Sequence, residues 1–166
     1  MNAIKLLTTQ HREVEALFKK YKGSDDNSEK LDIFTELADK LAAHSTIEEK
    51  IFYPAVYVGK LEDLLREAVE EHLAAKRLIA DLLKLSPSNE EFDAKVKVLQ
   101  EQIDHHVEEE EEKLFPKVQK TLKAPELEEL GREMERMFDT LMEHDPRKDV
   151  PQETDEAAPL PEEPRP

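Results

Sequence analysis

The sequence contains no cysteine, which excludes disulfide frameworks, thiolate metal sites and cysteine nucleophiles together. Glycine is scarce, with 3 residues in 166, and aromatic residues make up 5%, too few for a turn-rich β architecture. No apolar run is long enough to cross a bilayer, and the opening MNAIKLLTTQHREVEALF lacks the unbroken apolar stretch of a signal peptide. Positive charge is also short. Against 40 Asp and Glu stand 24 Lys and Arg, a formal net charge of -16, which repels nucleic acid and anionic membranes. The expectation is a soluble, cytoplasmic protein that meets neither nucleic acid nor membrane.

What is present is helical periodicity. Hydrophobic residues are 38% of the chain and charged residues 39%, a balance suited to amphipathic helices with solvated outer faces. Ile4, Leu7, His11, Val14, Phe18 and Tyr21 recur at three- and four-residue steps, and Gly23 to Ser28 then supplies a stop and a new N-cap. A second stripe runs through Leu31, Phe34, Leu37, Leu41, His44, Glu48, Ile51 and Ala55, and a third through Leu61, Leu65, Val69, His72, Ile79 and Leu82. The fourth holds Phe92, Val96, Leu99, Ile103, His106, Glu110 and Leu114, and a shorter fifth helix carries Leu127, Leu130, Met134, Met137, Phe138 and Leu141. Beyond Asp145 the pattern ends. Residues 145–166 hold six of the ten prolines and few large apolar residues, so this acidic, Pro-rich tail reads as disordered, a tether or docking segment for an unknown protein partner. Residues 1–143 form the folded domain.

One phrase occurs twice. His44-Ser-Thr-Ile-Glu48-Glu49-Lys-Ile-Phe-Tyr-Pro54 is matched by His106-Val-Glu-Glu-Glu110-Glu111-Glu-Lys-Leu-Phe-Pro116. His72 follows His11 by 61 residues and His106 follows His44 by 62, so a helical hairpin is used twice. Residues four apart share a helix face, so each phrase sets an imidazole beside a carboxylate. His11, His44, Glu48, His72, His106 and Glu110 all fall on core stripes. Two buried carboxylates without compensation cost several kcal/mol, roughly, and cations at the centre are the simplest compensation. The donors are nitrogen and oxygen without sulfur, which suits iron and manganese and leaves zinc open. Two octahedral metals need about twelve positions, of which four imidazoles, two bridging carboxylates and an oxo or hydroxo bridge fill about ten. Pro54 and Pro116 are expected to kink or end their helices.

This pattern, His11, His44-x3-Glu48, His72 and His106-x3-Glu110 with an aromatic-Pro step after each pair, resembles the hemerythrin-like HHE cation-binding domain. The resemblance covers about residues 1–143. It implies an all-α, up-down-up-down four-helix bundle holding an oxo- or hydroxo-bridged di-iron centre, with the six residues as ligands and the two glutamates as bridges. Oxygen-carrying hemerythrins place a fifth histidine where this chain has Lys76. That departure favours redox chemistry with dioxygen or hydrogen peroxide, a catalase- or peroxidase-like activity, or nitric oxide binding, over reversible oxygen carriage. Iron storage, or iron and oxygen sensing through a partner without turnover, is the alternative. Glu49, Glu111, His105 and Tyr53 are candidates for a replacement ligand, and Glu15, four residues after His11, is a candidate to orient a ligand histidine.

Overall fold

A computed structural model describes residues 1–165, and among them the chain is helical with no sheet. Helix α1 spans Ala3–Lys22, capped by the Asn2 side chain, and α2 spans Asn27–Ile47, capped by Asp26. Each cap gives a first-turn N–H the acceptor that the helix itself cannot supply. Helix α4 spans Glu62–Leu83 and α5 spans Glu90–Glu109, the latter capped by Asn89 with three acidic residues in its first turn. A final helix, α7, spans Ala124–Met142.

Of the two outcomes expected at Pro54 and Pro116, a kink or an end, the helices do not end but run on through a distorted turn. Glu48–Phe52 forms a π-helical turn that leads into α3, Tyr53–Val56, and Glu110–Leu114 forms a second that leads into α6, Phe115–Thr121. The Tyr53 and Phe115 N–H groups reach back five residues, to the Glu48 and Glu110 carbonyls. The widened turn lies just before each proline, where the missing N–H and the ring would otherwise break the ladder. Both wide turns begin at the glutamate of a His-Glu pair.

Cross-helix polar pairs give the directions. Gln10 meets His44 while Glu13 meets Lys40, so α1 and α2 run antiparallel. Likewise His106 meets Glu71 and Lys95 meets Asp81 between α5 and α4. The apolar core is divided into two clusters. One contains Leu7, Ile47, Val69 and Leu114, the other Val14, Leu41, Ala75 and Leu99. On α1, α2, α4 and α5 the His/Glu positions lie between a residue of one cluster and a residue of the other. The second stripe needs amending at both ends: Leu31 is exposed and Ile33 takes its place in the core, and from the π turn onward Phe52 and Val56 are buried where Ile51 and Ala55 are only half-buried.

The tail differs from expectation. Residues Pro146–Glu153 form a 3-10 helix packed on α2 and α4, Val150 is buried, and Arg147 pairs with Asp39 of α2 at 2.9 Å. Farther on, the Arg165 N–H donates to the Tyr57 carbonyl at 2.7 Å, and Leu160 packs on the first apolar cluster. The segment has no core of its own and uses the core built by the other helices. Its prolines, read as a disorder signal, also lower the entropy lost when it docks. Pro166 lies outside the described residues.

Gly131 is where the N-terminal residues cross α7. A Cβ there would sit 2.1 Å from the Met1 carbonyl oxygen and 2.8 Å from the Asn2 carbonyl carbon. Gly131→Ala is therefore expected to cost about 1–3 kcal/mol of stability, measured by urea denaturation.

Candidate metal centre

The six residues predicted from spacing converge in the layer between the two apolar clusters, and all six are buried. They come from α1 (His11), α2 and its π turn (His44, Glu48), α4 (His72), and α5 and its π turn (His106, Glu110). Donor atoms fall into two groups, one of His11, His44, Glu48 and Glu110 and one of Glu48, His72 and His106, each within 4.8 Å. Glu48 belongs to both. Its Oε1 lies 3.3 Å from His44 Nε2, 3.1 Å from His72 Nε2 and 3.8 Å from His106 Nε2. Glu110 Oε1 spans the same gap, 3.1 Å from His11 Nε2 and 3.4 Å from His106 Nε2.

Each histidine turns Nε2 inward and Nδ1 outward. His11 Nδ1 meets Glu111 at 2.6 Å, His44 Nδ1 meets Gln10 at 2.6 Å, His72 Nδ1 meets Glu49 at 2.6 Å and His106 Nδ1 meets Glu71 at 2.8 Å. These partners present acceptor oxygens, so Nδ1–H donates and the Nε2 lone pair is left facing the centre. His72 Nε2 and His106 Nε2 consequently face each other at 3.2 Å. Two lone pairs at that distance repel unless a proton or a cation lies between them. His44 Nε2 and Glu48 Oε2 are also buried without a hydrogen-bond partner among the described residues. Such atoms are costly in an apolar core, and the residues present fit a pair of cations.

The electrostatics agree. Burial pushes the Glu48 carboxyl up, yet the facing histidines, His44 foremost, hold it well below the usual carboxylate range. Burial pushes His11, His72 and His106 down, and hydrogen bonds and charge from Glu110, Glu48 and the outer carboxylates overturn this, leaving all three raised. The Tyr53 phenol is held well above its ordinary value by burial and by the charges of Glu110 and Glu48, so it stays protonated here and donates to Glu110 Oε2 at 2.7 Å.

The remaining candidates separate clearly. Glu49 and Glu111 stand behind His72 and His11, outside the inner layer. Tyr53 does reach it, with its hydroxyl 3.3 Å from His72 Nε2 and 3.4 Å from His106 Nε2. His105 points outward, 61% exposed, and pairs with Glu71. Glu15 holds Arg12 at the surface, so the orienting role expected of it beside His11 belongs to Glu111. Arg12 also binds Glu111, and buried Lys76 binds Glu49 at 2.9 Å, so a cation anchors each of those outer carboxylates. Lys76 therefore occupies the position of the absent fifth histidine without turning to the centre.

Gln10 and Glu71 were not found by sequence reasoning. The signal was adjacency. Gln10, Glu49, Glu71 and Glu111 each neighbour an inner residue in the chain and serve a histidine on a different helix. Glu49→Ala is expected to weaken metal binding about 10- to 100-fold, whereas His105→Ala should leave it unchanged, both read by competition with a chelator.

Beside this layer, toward the second apolar cluster, lies a cavity of about 40 Å³ lined by the four histidines, by Gln10, Ser45 and Lys76, and by apolar groups that make up most of its exposed wall, among them Val14, Leu41 and Ile79. No described helix is long and apolar enough to cross a membrane.

The profile of the hemerythrin HHE cation binding domain matches residues 2–118. This chain belongs to that family. The hemerythrin-like fold is also found in a solved structure of a Hemerythrin HHE cation binding domain-containing protein from Mycobacterium kansasii, with a TM-score of 0.76, 25% identity, and 86% of this chain and 88% of that one covered. Among curated proteins, a DNA nickase from Nostoc is 29% identical over 133 residues. That alignment takes in 80% of this chain and 38% of the nickase, so the hemerythrin-family chain spans well under half of that relative's length.

Proposed function

We propose that this hemerythrin-family chain holds two iron ions at the His/Glu layer of an up-down-up-down four-helix bundle and presents them to dioxygen, hydrogen peroxide or nitric oxide. The observation that carries the reading is the inward set of four Nε2 atoms straddled by Glu48 and Glu110, with the Nε2 atoms of His72 and His106 at 3.2 Å. Antiparallel pairing of α1 with α2 and of α4 with α5 supports the bundle. Two irons in these places supply open coordination positions and one-electron changes for small oxidants. The protein's part is to fix geometry and exclude water. Four Nδ1 acceptors hold the imidazoles in one tautomer, and the apolar clusters on both sides keep the layer dry.

Tyr53 adds an asymmetry. Its counterpart in the second repeat is Phe115, which stacks on His11 with ring centroids 6.0 Å apart. The hydroxyl is thus offered to His72 and His106 as a further ligand and to Glu110 as a proton donor, with no equivalent from Phe115 in the second repeat. With a net charge of -16, this chain by itself is a poor fit to DNA, and the nickase activity of its relative is not transferred to it.

Iron-loaded protein is expected to change its visible spectrum on addition of nitric oxide or hydrogen peroxide, with Tyr53→Phe altering the band without loss of iron. Catalytic loss of peroxide would place it among catalase- or peroxidase-like proteins. An unchanged spectrum in protein carrying two irons would overturn the small-ligand reading and leave storage or sensing.

A further inference from the structure

The family match ends at residue 118, yet the segment after α7 reaches back to the site. Asp145, with φ of 50°, turns the chain out of α7, and Pro146–Glu153 then lies across α2 and α4. At the α2 edge the Arg147 guanidinium bonds both Asp39 oxygens, at 3.2 and 2.9 Å, and the Arg147 backbone N–H bonds Asp39 Oδ1 at 3.0 Å. At the α4 edge Glu153 meets Lys76 at 3.3 Å, and Arg77 donates to the Thr154 carbonyl at 3.1 Å. Midway between these clamps Val150, 2% exposed, lines the cavity beside the four histidines.

We propose that residues 145–154 are a strap, with Val150 as the stopper of an apolar chamber that admits an uncharged ligand of two or three heavy atoms to the metal centre. This rests on reading the His/Glu layer as the centre such ligands reach. A 40 Å³ space holds about one such molecule. Apolar walls favour neutral dioxygen or nitric oxide over anions. The strap suits a moving part. It buries only Pro146 and Val150, and its remaining ties are ion pairs and hydrogen bonds, the kind of segment that opens locally without global unfolding. Lifting it exposes the chamber through the seam between α2 and α4. The Arg147–Asp39 clamp sets how often that happens, because both Asp39 oxygens accept from one guanidinium nitrogen and Asp39 Oδ1 also accepts from the Arg147 backbone N–H.

The absence of cysteine makes the test direct. In Val150→Cys the new thiol is the only one in the chain, and a small thiosulfonate reagent reports how often the strap lifts. Labelling is expected to be slower than for an unprotected thiol and faster than global unfolding, and adding Arg147→Ala should speed it about tenfold. A rate equal to that of an unprotected thiol, or equal to global unfolding in both backgrounds, would overturn the strap. Because this arm needs no metal, its failure is separable from failure of the metal reading. The second arm pairs Asp39→Cys with Arg147→Cys to lock the strap by oxidation. In iron-loaded protein the lock should slow nitric oxide association several-fold, and reduction should restore it. Equal rates in the locked and reduced forms would show that the strap opens without controlling access.

Discussion

Glu48→Ala is expected to empty both halves of the centre. Glu48 is the one residue shared by the two donor groups, with Oε1 within 3.8 Å of three Nε2 atoms from three helices. Losing an orienting partner typically costs 10- to 100-fold in metal affinity, and losing a shared ligand should exceed about 100-fold at both positions. His11→Ala, by contrast, removes a donor from one group only and should leave the His72/His106 half able to bind. Elemental analysis of the two variants separates the outcomes: a Glu48→Ala protein that retains one full equivalent would show that the halves bind independently. The substitution also removes the carboxylate that faces His44, His72 and His106, so the metal-free variant is expected to lose stability, and circular dichroism checks that it is folded.

Metal removal is the second large effect. A ligand present at about a thousand times its dissociation constant stabilises the fold that binds it by about 4 kcal/mol, which for a chain of this size is roughly 8–16 °C in Tm. The shift should depend on pH with a definite sign. In the metal-free protein His11, His72 and His106 are raised above their ordinary value. Their contribution to stability is fully present below the unfolded histidine value and is lost as pH rises through the raised folded values. Metal must displace those protons, so loading releases them and strengthens as pH rises. Thermal melts at about pH 6 and about pH 8 should therefore show the gap between loaded and metal-free protein widening at the higher pH. A gap that narrows would mean that protons and metal do not compete for the same nitrogens.

These effects trace to positions that were legible in different degrees. The six inner residues could be read because a helix places residues four apart on one face, and because His or Glu interrupted stripes that were otherwise apolar. Gln10, Glu49, Glu71 and Glu111 could not be assigned that way. Each sits about 100° around the helix from its chain neighbour, on a flank whose meaning depends on which helix packs alongside. Glu15 shows the converse, having the right spacing from His11 and the wrong face. The π turns were hidden because proline predicts a break in the ladder, whereas five-residue bonds from Tyr53 and Phe115 carry the helices past it. Composition misjudged the tail, since it asks whether a segment can bury its own surface, and Val150 buries itself in a core built by other helices.

Metal content per chain, by elemental analysis of untagged protein from iron-replete cells read beside its visible spectrum, tests the central claim most directly. The arrangement of four inward imidazoles and two straddling carboxylates predicts about two irons per chain with absorption from a bridged pair. Zinc alone, or no metal after careful reconstitution with ferrous iron, would contradict it and leave the His/Glu layer as a structural element of the helices.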